Sequence, residues 1–418
     1  MATIRSFSSM LNEYLSYDLL KEEMIKRDWL LQNLEKDMGW KGGTLPVPFQ
    51  GAGASSVSFG SLTAAADIAE NVYVRGQITS QPEVWGSILF NQRDLMEHDG
   101  KVNEKSFLKL LPNALDDFLN YMKQVVSLSF LNGSAFASAT VDGTAGGALV
   151  VDRIERFTLN QKVQVDDDDS APVTGYVRTI DLNTDTVTLF DARTGGAAVD
   201  LSAYTVAQNA KVYFDNAQLN ALTSLKSSLL SAANGGSAAL YGQTKTAFPY
   251  LQAIQVDGSA VTAANILNKI FDGYTTVKNK GKGMPNQILM SYKNLGSVMK
   301  LLESGSSEFD AKGGFHIKQG STDVNVYGWT SISVFGVQGN LQVVGIQEID
   351  DDYIIYMDKR AAKIHSNGFF KKRINPDGDS WFEVRNTTGY QYITDVCFFG
   401  DLVLSRPSYC GIMHTVSY

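Results

Sequence analysis

Four consecutive carboxylates, Asp166, Asp167, Asp168 and Asp169, form the densest set of metal-type ligands in the chain. Hard cations favour clustered oxygens, but neighbouring side chains cannot all point into one cage. The run also lacks the glycine and closing glutamate of a calcium loop. It is therefore read as a solvated acidic turn, and Asp350, Asp351 and Asp352 are read the same way. The histidines His98, His316, His365 and His414 are scattered, with no metal-ligand spacing. No serine or cysteine stands in a nucleophile-elbow pattern. Gly281-Lys282-Gly283 and Gly313-Gly314 lack the strand–loop–helix context and the Lys-Ser/Thr ending of a phosphate loop. Two small basic loops, Lys278/Lys280/Lys282 and Lys371/Lys372/Arg373, could touch phosphate or a partner's carboxylates, and solvated turns are the preferred reading. Cys397 and Cys410 are expected as buried free thiols. No catalytic residue, metal ligand or cofactor is assigned.

The 418 residues suggest two to three units or one elaborated domain. With 44% hydrophobic and 19% charged residues, the chain can build a sizeable core and is not a disordered polymer. A net charge of -8 disfavours a protein that grips nucleic acid through phosphates. No apolar run approaches the roughly 20 residues of a membrane span, and residues 1–40 lack the apolar core of a signal peptide. A cytoplasmic site of synthesis is expected, with release by lysis as the exit.

Residues 11–37 have helical spacing, with Leu11, Leu15, Leu19, Met24, Leu30, Leu31 and Leu34 on one face. This is either a packed terminal helix or an arm that docks on a neighbouring copy. Gly42-Gly43 and the prolines Pro46 and Pro48 then break the helix. Two strand-like runs, 71–78 and 84–90, are expected to pair as a long hairpin, which in isolation would be marginal in water. The strongest helix follows over 103–131, with Asn103 as its cap, Phe107, Leu111, Phe118, Met122 and Val125 as its stripe, and Asn132-Gly133 as its stop. Pro112 should bend it or mark a second start. Residues 146–216 hold short β-forming runs at about ten-residue spacing, the signal of a small inserted barrel or sandwich, with a hairpin looping at 183–185. From 262 onward, a helix, a strand at 287–291, a helix capped by Ser291 and a series of strands predict an α+β layer.

This order of parts resembles the tailed-bacteriophage major capsid proteins of the Hong Kong 97 fold. Supporting segments are Met284-Pro285-Asn286-Gln287-Ile288-Leu289-Met290-Ser291, which leads into a short helix, and Asp395-Val396-Cys397-Phe398-Phe399-Gly400-Asp401-Leu402-Val403-Leu404, followed by Arg406-Pro407. The resemblance implies an α+β fold with an N-terminal arm (1–43), an extended loop hairpin (44–102) and the spine helix of a peripheral domain (103–145). It further implies an inserted small all-β barrel (146–216), an axial domain (217–364) and closing peripheral-domain strands that return to the axial domain (365–418). It implies no enzyme and no cofactor, but a shell subunit that assembles with itself into hexamers and pentamers of an icosahedral or prolate head around double-stranded DNA. Expected partners are a portal, a separate scaffolding protein and a decoration protein, with DNA touched only weakly and non-specifically. The expected location is the virion, with no membrane association.

Trp85, Ile88, Leu89 and Phe90 are the candidate apolar anchors to a neighbouring subunit, and Arg75 and Arg93 the candidate ion-pair donors. For Trp85, burial within its own subunit is an equal alternative. Some members of the family weld subunits through a lysine on the extended loop. Residues 42–100 contain no lysine, so no such cross-link is expected. Two other readings stay open: a tail or baseplate component, and a soluble α+β hydrolase or metal-dependent enzyme built on Asp166–Asp169.

Overall fold

The computed structural model describes residues 29–41, 43–52, 72–79, 81–91, 104–141, 147–166, 172–201, 209–218, 220–281, 283–309, 315–316, 331–336, 339–372, 382–386 and 389–417. The chain opens with α1 (Trp29–Asn33) and β1 (Glu35–Asp37), then β2 (Leu45–Ala52), β3 (Val72–Ile78) and β4 (Glu83–Asn91). A long α2 (Glu104–Leu131) leads into β5 (Ala135–Val141), β6 (Ala148–Val151), β7 (Lys162–Asp166), β8 (Val173–Asp181), β9 (Thr186–Phe190) and β10 (Asn209–Phe214). Next come α3 (Leu225–Leu229), β11 (Ala239–Leu240), β12 (Gln243–Thr244), β13 (Ile254–Asp257), α4 (Ile266–Lys280), β14 (Gln287–Met290) and α5 (Tyr292–Phe309). The remaining strands are β15 (Phe315–His316), β16 (Ser331–Gly336), β17 (Gly339–Gly345), β18 (Ile354–Met357), β19 (Ala362–Lys372), β20 (Phe382–Asn386), β21 (Gly389–Leu404) and β22 (Gly411–His414). The architecture is α+β and divides into two units, residues 1–127 with 226–418, and residues 128–225.

The smaller unit is a closed six-stranded barrel in the order β10-β5-β6-β9-β8-β7. Alternation fills it: Val163 and Val165, Val187 and Leu189, and Ala210 and Val212 all point inward and are buried. The β8–β9 hairpin turns at 182–185, where Asp185 takes a left-handed φ of 50° and Asn183 N donates to Asp181 Oδ1 at 2.9 Å. The barrel starts earlier than residue 146. Its strand β5 is Ala135–Val141, a segment of small residues that closes the cylinder between β10 and β6.

In the larger unit a seven-stranded sheet runs β13-β22-β18-β14-β17-β16-β15. Its strand β14 is buried at all four residues and pairs in parallel with β17 and antiparallel with β18. Against this sheet α4 sets Ile266, Ile270 and Val277 and α5 sets Leu295 and Val298, all in one core with Ile288, Met290, Val343 and Tyr356. The approach of α4 requires Gly273. A Cβ there would stand 2.2 Å from the Tyr356 hydroxyl, which instead donates to the Ile270 carbonyl at 3.1 Å. Ser291 caps α5 as expected, its Oγ accepting from Asn294 N at 3.3 Å.

A second sheet has the order β1-β19-β21-β20, and β4 pairs with β21 as well. β2 and β3 form a separate two-stranded sheet. Three expectations change here. The helix expected over 11–37 ends at Asn33, and Glu35–Asp37 is a strand parallel to β19, held by Lys363 Nζ on Glu35 at 2.7 Å; residues 11–28 lie outside the described residues. The strands at 72–78 and 83–91 do not pair with each other, because β3 takes β2 and β4 takes β21. Finally, α2 runs through Pro112 as one 28-residue helix, without a second start.

Asp358 links the two sheets' connections, since it follows β18 and precedes β19. Its side chain is fully buried and accepts from Arg360 N at 3.1 Å, Arg360 Nε at 3.0 Å, Arg360 Nη2 at 2.8 Å and Met284 N at 3.3 Å. Burial pushes the carboxyl up, but these donors outweigh it and hold it below the usual carboxylate range. The stabilisation is therefore present above the ordinary carboxylate pKa and is lost only as pH falls through the lower folded value. Asp358→Asn should cost about 2 kcal/mol in urea unfolding near neutral pH, and less at about pH 3.

Candidate assembly surface

Strand β4 is read out by its alternation. Gly86 and Ile88 point inward and Trp85, Ser87 and Leu89 point outward. The inward face is pressed so closely on α2 that a Cβ at Gly86 would lie 2.5 Å from Met122 Sδ and 2.8 Å from the Phe118 ring. β21 covers one edge of β4 from Phe399 opposite Glu83 to Gln391 opposite Asn91, and no described strand covers the other edge.

On the outward face Trp85 is 53% exposed and Leu89 46% exposed. Trp85 is nevertheless held in place. Its Nε1 donates to Glu83 Oε2 at 2.9 Å, and its ring meets Phe399 edge-on at 5.9 Å. Beside it Ser87 Oγ donates to Asp395 Oδ1 at 2.6 Å, and Lys371 Nζ sits 5.6 Å from the Phe399 ring centroid. The result is a positioned aromatic plate with an aliphatic neighbour and a polar margin.

The β2–β3 hairpin is also two-faced. Val47, Phe49 and Gly76 are buried with Leu240, Tyr241, Leu251 and Val403, whereas Tyr73, 72% exposed, and Arg75 face outward. Its base is tied down where Gln77 N donates to the Tyr241 carbonyl at 3.1 Å. Tyr241, at a left-handed φ of 53°, in turn accepts on its hydroxyl from Leu404 N at 2.6 Å. Pro46 and Pro48 stand opposite Gln77 and Arg75 and offer no N–H.

Of the residues expected at an interface, Arg75, Trp85 and Leu89 are exposed, and Ile88 is buried at 8% within this chain. Phe90 pairs through its backbone with Tyr392, and its side chain lies outside the described residues, as does Arg93. Sequence reasoning did not find Tyr241 or Tyr73, whose roles depend on long-range strand pairing.

The chemically suggestive residues are dispersed or satisfied. Asp166 is buried at the end of β7 and accepts from Gln218 Nε2, while Asp167, Asp168 and Asp169 lie outside the described residues. Asp350 and Asp352 are not simply solvated, because both grip Lys226, at 3.1 and 3.0 Å. His365 lies 3.4 Å from Asp37, and burial pulls its imidazole below the usual value despite that carboxylate. His414 pairs with Asn234 at 3.0 Å. The His98 residue and the His316 side chain are outside the described residues. Lys278 and Lys280 close α4, and Lys371 and Lys372 are part of β19, so neither pair forms a loop. Lys282, Arg373, Gly313 and Gly314 lie outside the described residues. Among the described residues no three His, Cys, Asp or Glu side chains converge on a metal-sized site, and no helix is long and apolar enough to cross a membrane.

Cys397 and Cys410 are free and buried, as expected. Burial pushes both thiols up, Cys410 to about 12. Lys245 is a buried cation that sequence reasoning missed. It donates to the Ser227 and Leu230 carbonyls at 3.0 and 2.8 Å, and burial brings its ammonium down to about 8.

No protein-family model and no curated protein matches this chain. Solved structures do match. The cyanophage A-1(L) capsid asymmetric unit is 11% identical over 93% of this chain and 92% of that one, with a TM-score of 0.49. The capsid of the native GTA particle is 11% identical over 93% and 90%, with a TM-score of 0.46. An encapsulin complex from Synechococcus elongatus is 8% identical over 93% and 87%, with a TM-score of 0.42. The chain is thus similar in its path to these capsid and encapsulin proteins.

Two measurements check this surface. Gly86→Val should lower stability by about 1–3 kcal/mol, through overpacking against Met122 and Phe118, and shift the urea midpoint without changing its slope. Maleimide at about pH 8 should label neither Cys397 nor Cys410 in the folded chain and both after denaturation.

Proposed function

We propose that this chain is a structural protein that assembles with copies of itself into a closed shell. The observation that carries the reading is the outward face of β4. There Trp85 and Leu89 are exposed on a strand whose opposite face is locked onto the chain's own helix. A positioned tryptophan with an aliphatic neighbour is the composition of an interface anchor. The two-faced β2–β3 hairpin, with Tyr73 and Arg75 outward, supplies a second surface for a neighbouring copy.

More specifically, the reading is a major capsid protein of the Hong Kong 97-like fold. Such a protein builds hexamers and pentamers of an icosahedral or prolate phage head around double-stranded DNA, which places it in the virion. In this reading 1–43 is the N-terminal arm and 44–102 the extended loop. The spine helix, inserted barrel, axial domain and closing peripheral strands then follow in order. Trp85 and Leu89 contact the neighbouring copy, with Arg75 and Arg93 as ion-pair donors to it. The net charge of -8 fits a wall that touches packaged DNA only weakly. Portal, scaffolding and decoration proteins are its partners, and no covalent weld joins the copies.

The test is negative-stain microscopy and sedimentation of the purified chain, alone and with lysate of its source cell. Wild type should form rings, tubes or shells. Trp85→Ala with Leu89→Ala should keep the wild-type circular dichroism and reduce the assembled fraction at least about tenfold. A wild type that stays monomeric in every condition, or a double variant that assembles as wild type does, would overturn the proposal.

A further inference from the structure

The connection between β17 and β18 carries acidic side chains at alternate positions, Glu348, Asp350 and Asp352. Its backbone is fastened to the seven-stranded sheet's own unit at three points. Ile346 N donates to the Met290 carbonyl at 2.8 Å, Asn294 Nδ2 to the Asp351 carbonyl at 3.0 Å, and Val416 N to the Asp352 carbonyl at 2.9 Å. This rigid turn meets the chain at both places where the larger unit is interrupted. Lys123 lies in α2 shortly before the break after Ser127, and its Nζ is 3.8 Å from Glu348 Oε1. Lys226 is the first residue after the break, and its Nζ lies 3.1 Å from Asp350 Oδ2, 3.0 Å from Asp352 Oδ2 and 4.7 Å from the centroid of the buried Tyr353 ring.

We propose that this turn is an ionic latch, which captures the departing chain through Lys123 and the returning chain through Lys226 and so keeps both from fraying. The need for it is clearest at Lys226. The helix α3 has five residues, far below the roughly 12 that hold a helix by themselves, so its order must come from tertiary contacts. Lys226 ties down its first turn. Lys245 ties down its far end by donating to the Ser227 and Leu230 carbonyls. Burial alone would push the Lys226 ammonium down, but the two carboxylates outweigh it and hold it above its ordinary value. The charge is thus kept where the latch uses it. The Lys226–Asp350 pair is sheltered, with side-chain exposures of 23% and 25%, so screening weakens it less than a surface pair, whereas Asp352, at 56%, is the exposed and more easily screened partner.

Hydrogen exchange on the full chain tests the latch, comparing wild type with Lys226→Met, Lys226→Arg and Asp350→Asn/Asp352→Asn. In Lys226→Met and in the double asparagine variant, amides of residues 225–230 should exchange about tenfold faster, because local opening no longer breaks an ion pair. Amides of α4 and β14 should exchange as in wild type. Lys226→Arg should keep the wild-type pattern, since guanidinium can bridge two carboxylates. Unchanged exchange at 225–230 in both neutralised variants would overturn the proposal. So would an equal rise at 225–230 and in α4 and β14, which would make Lys226 a general stability residue. The outcome does not depend on whether the chain assembles.

Discussion

The antiparallel ladder between β4 and β21 is the contact on which the candidate surface depends. β21 is sixteen residues long, and its length lets it do several things at once. Its residues 391–399 pair with β4 along one edge. Along the other edge, 389–393 pair with β20 and 396–404 with β19. Its last residue, Leu404, donates its N–H to the Tyr241 hydroxyl and so joins this sheet to the clamp under the β2–β3 hairpin. Because side chains alternate, the register of this one ladder decides that Gly86 meets α2 and Trp85 meets solvent. A slip of one residue would exchange those faces.

The close fit at Gly86 and the exposure of Trp85 are therefore one fact seen from two sides. The strand can sit on α2 only where it carries no side chain, and the neighbouring residue is then turned outward. Phe399, paired with Glu83 on the same face as Trp85, keeps the indole from lying flat, and Glu83 fixes its nitrogen. An aromatic whose orientation is already set loses little rotamer freedom when a second surface covers it. The same economy appears in the hairpin, where buried Val47 and Phe49 leave Tyr73 and Arg75 on the opposite face.

Much of the local structure is legible in the sequence, because periodicity reports burial. The stripe of Phe118, Met122 and Val125 marks α2, and the alternating Val and Leu of β7 and β9 mark the barrel. Partnership is less legible. The two runs at 72–78 and 83–91 are both strands, but a four-residue gap invites a hairpin between them, and only tertiary packing assigns β2 to one and a strand some three hundred residues later to the other. β5 is hidden for a different reason: Ala135, Ala137, Ser138 and Ala139 are small and carry little strand propensity. Glu35–Asp37 has no apolar pattern at all and is a strand only because Lys363 and the parallel edge of β19 hold it. Of the candidate surface, the residue types of Trp85 and Leu89 could be picked out, but whether they face in or out could not, since Ile88 beside them is equally apolar and buried.

Pro46 and Pro48 also limit what the edge of the hairpin can recruit. Exposed strand edges recruit other strands, and a chain with a pairing-competent edge can polymerise through its backbone. Two missing N–H groups in β2 remove ladder donors at alternate positions, and the Tyr241 clamp occupies a donor of β3. The hairpin thereby has fewer free backbone donors to offer another strand, which leaves more of any outward contact to its side chains.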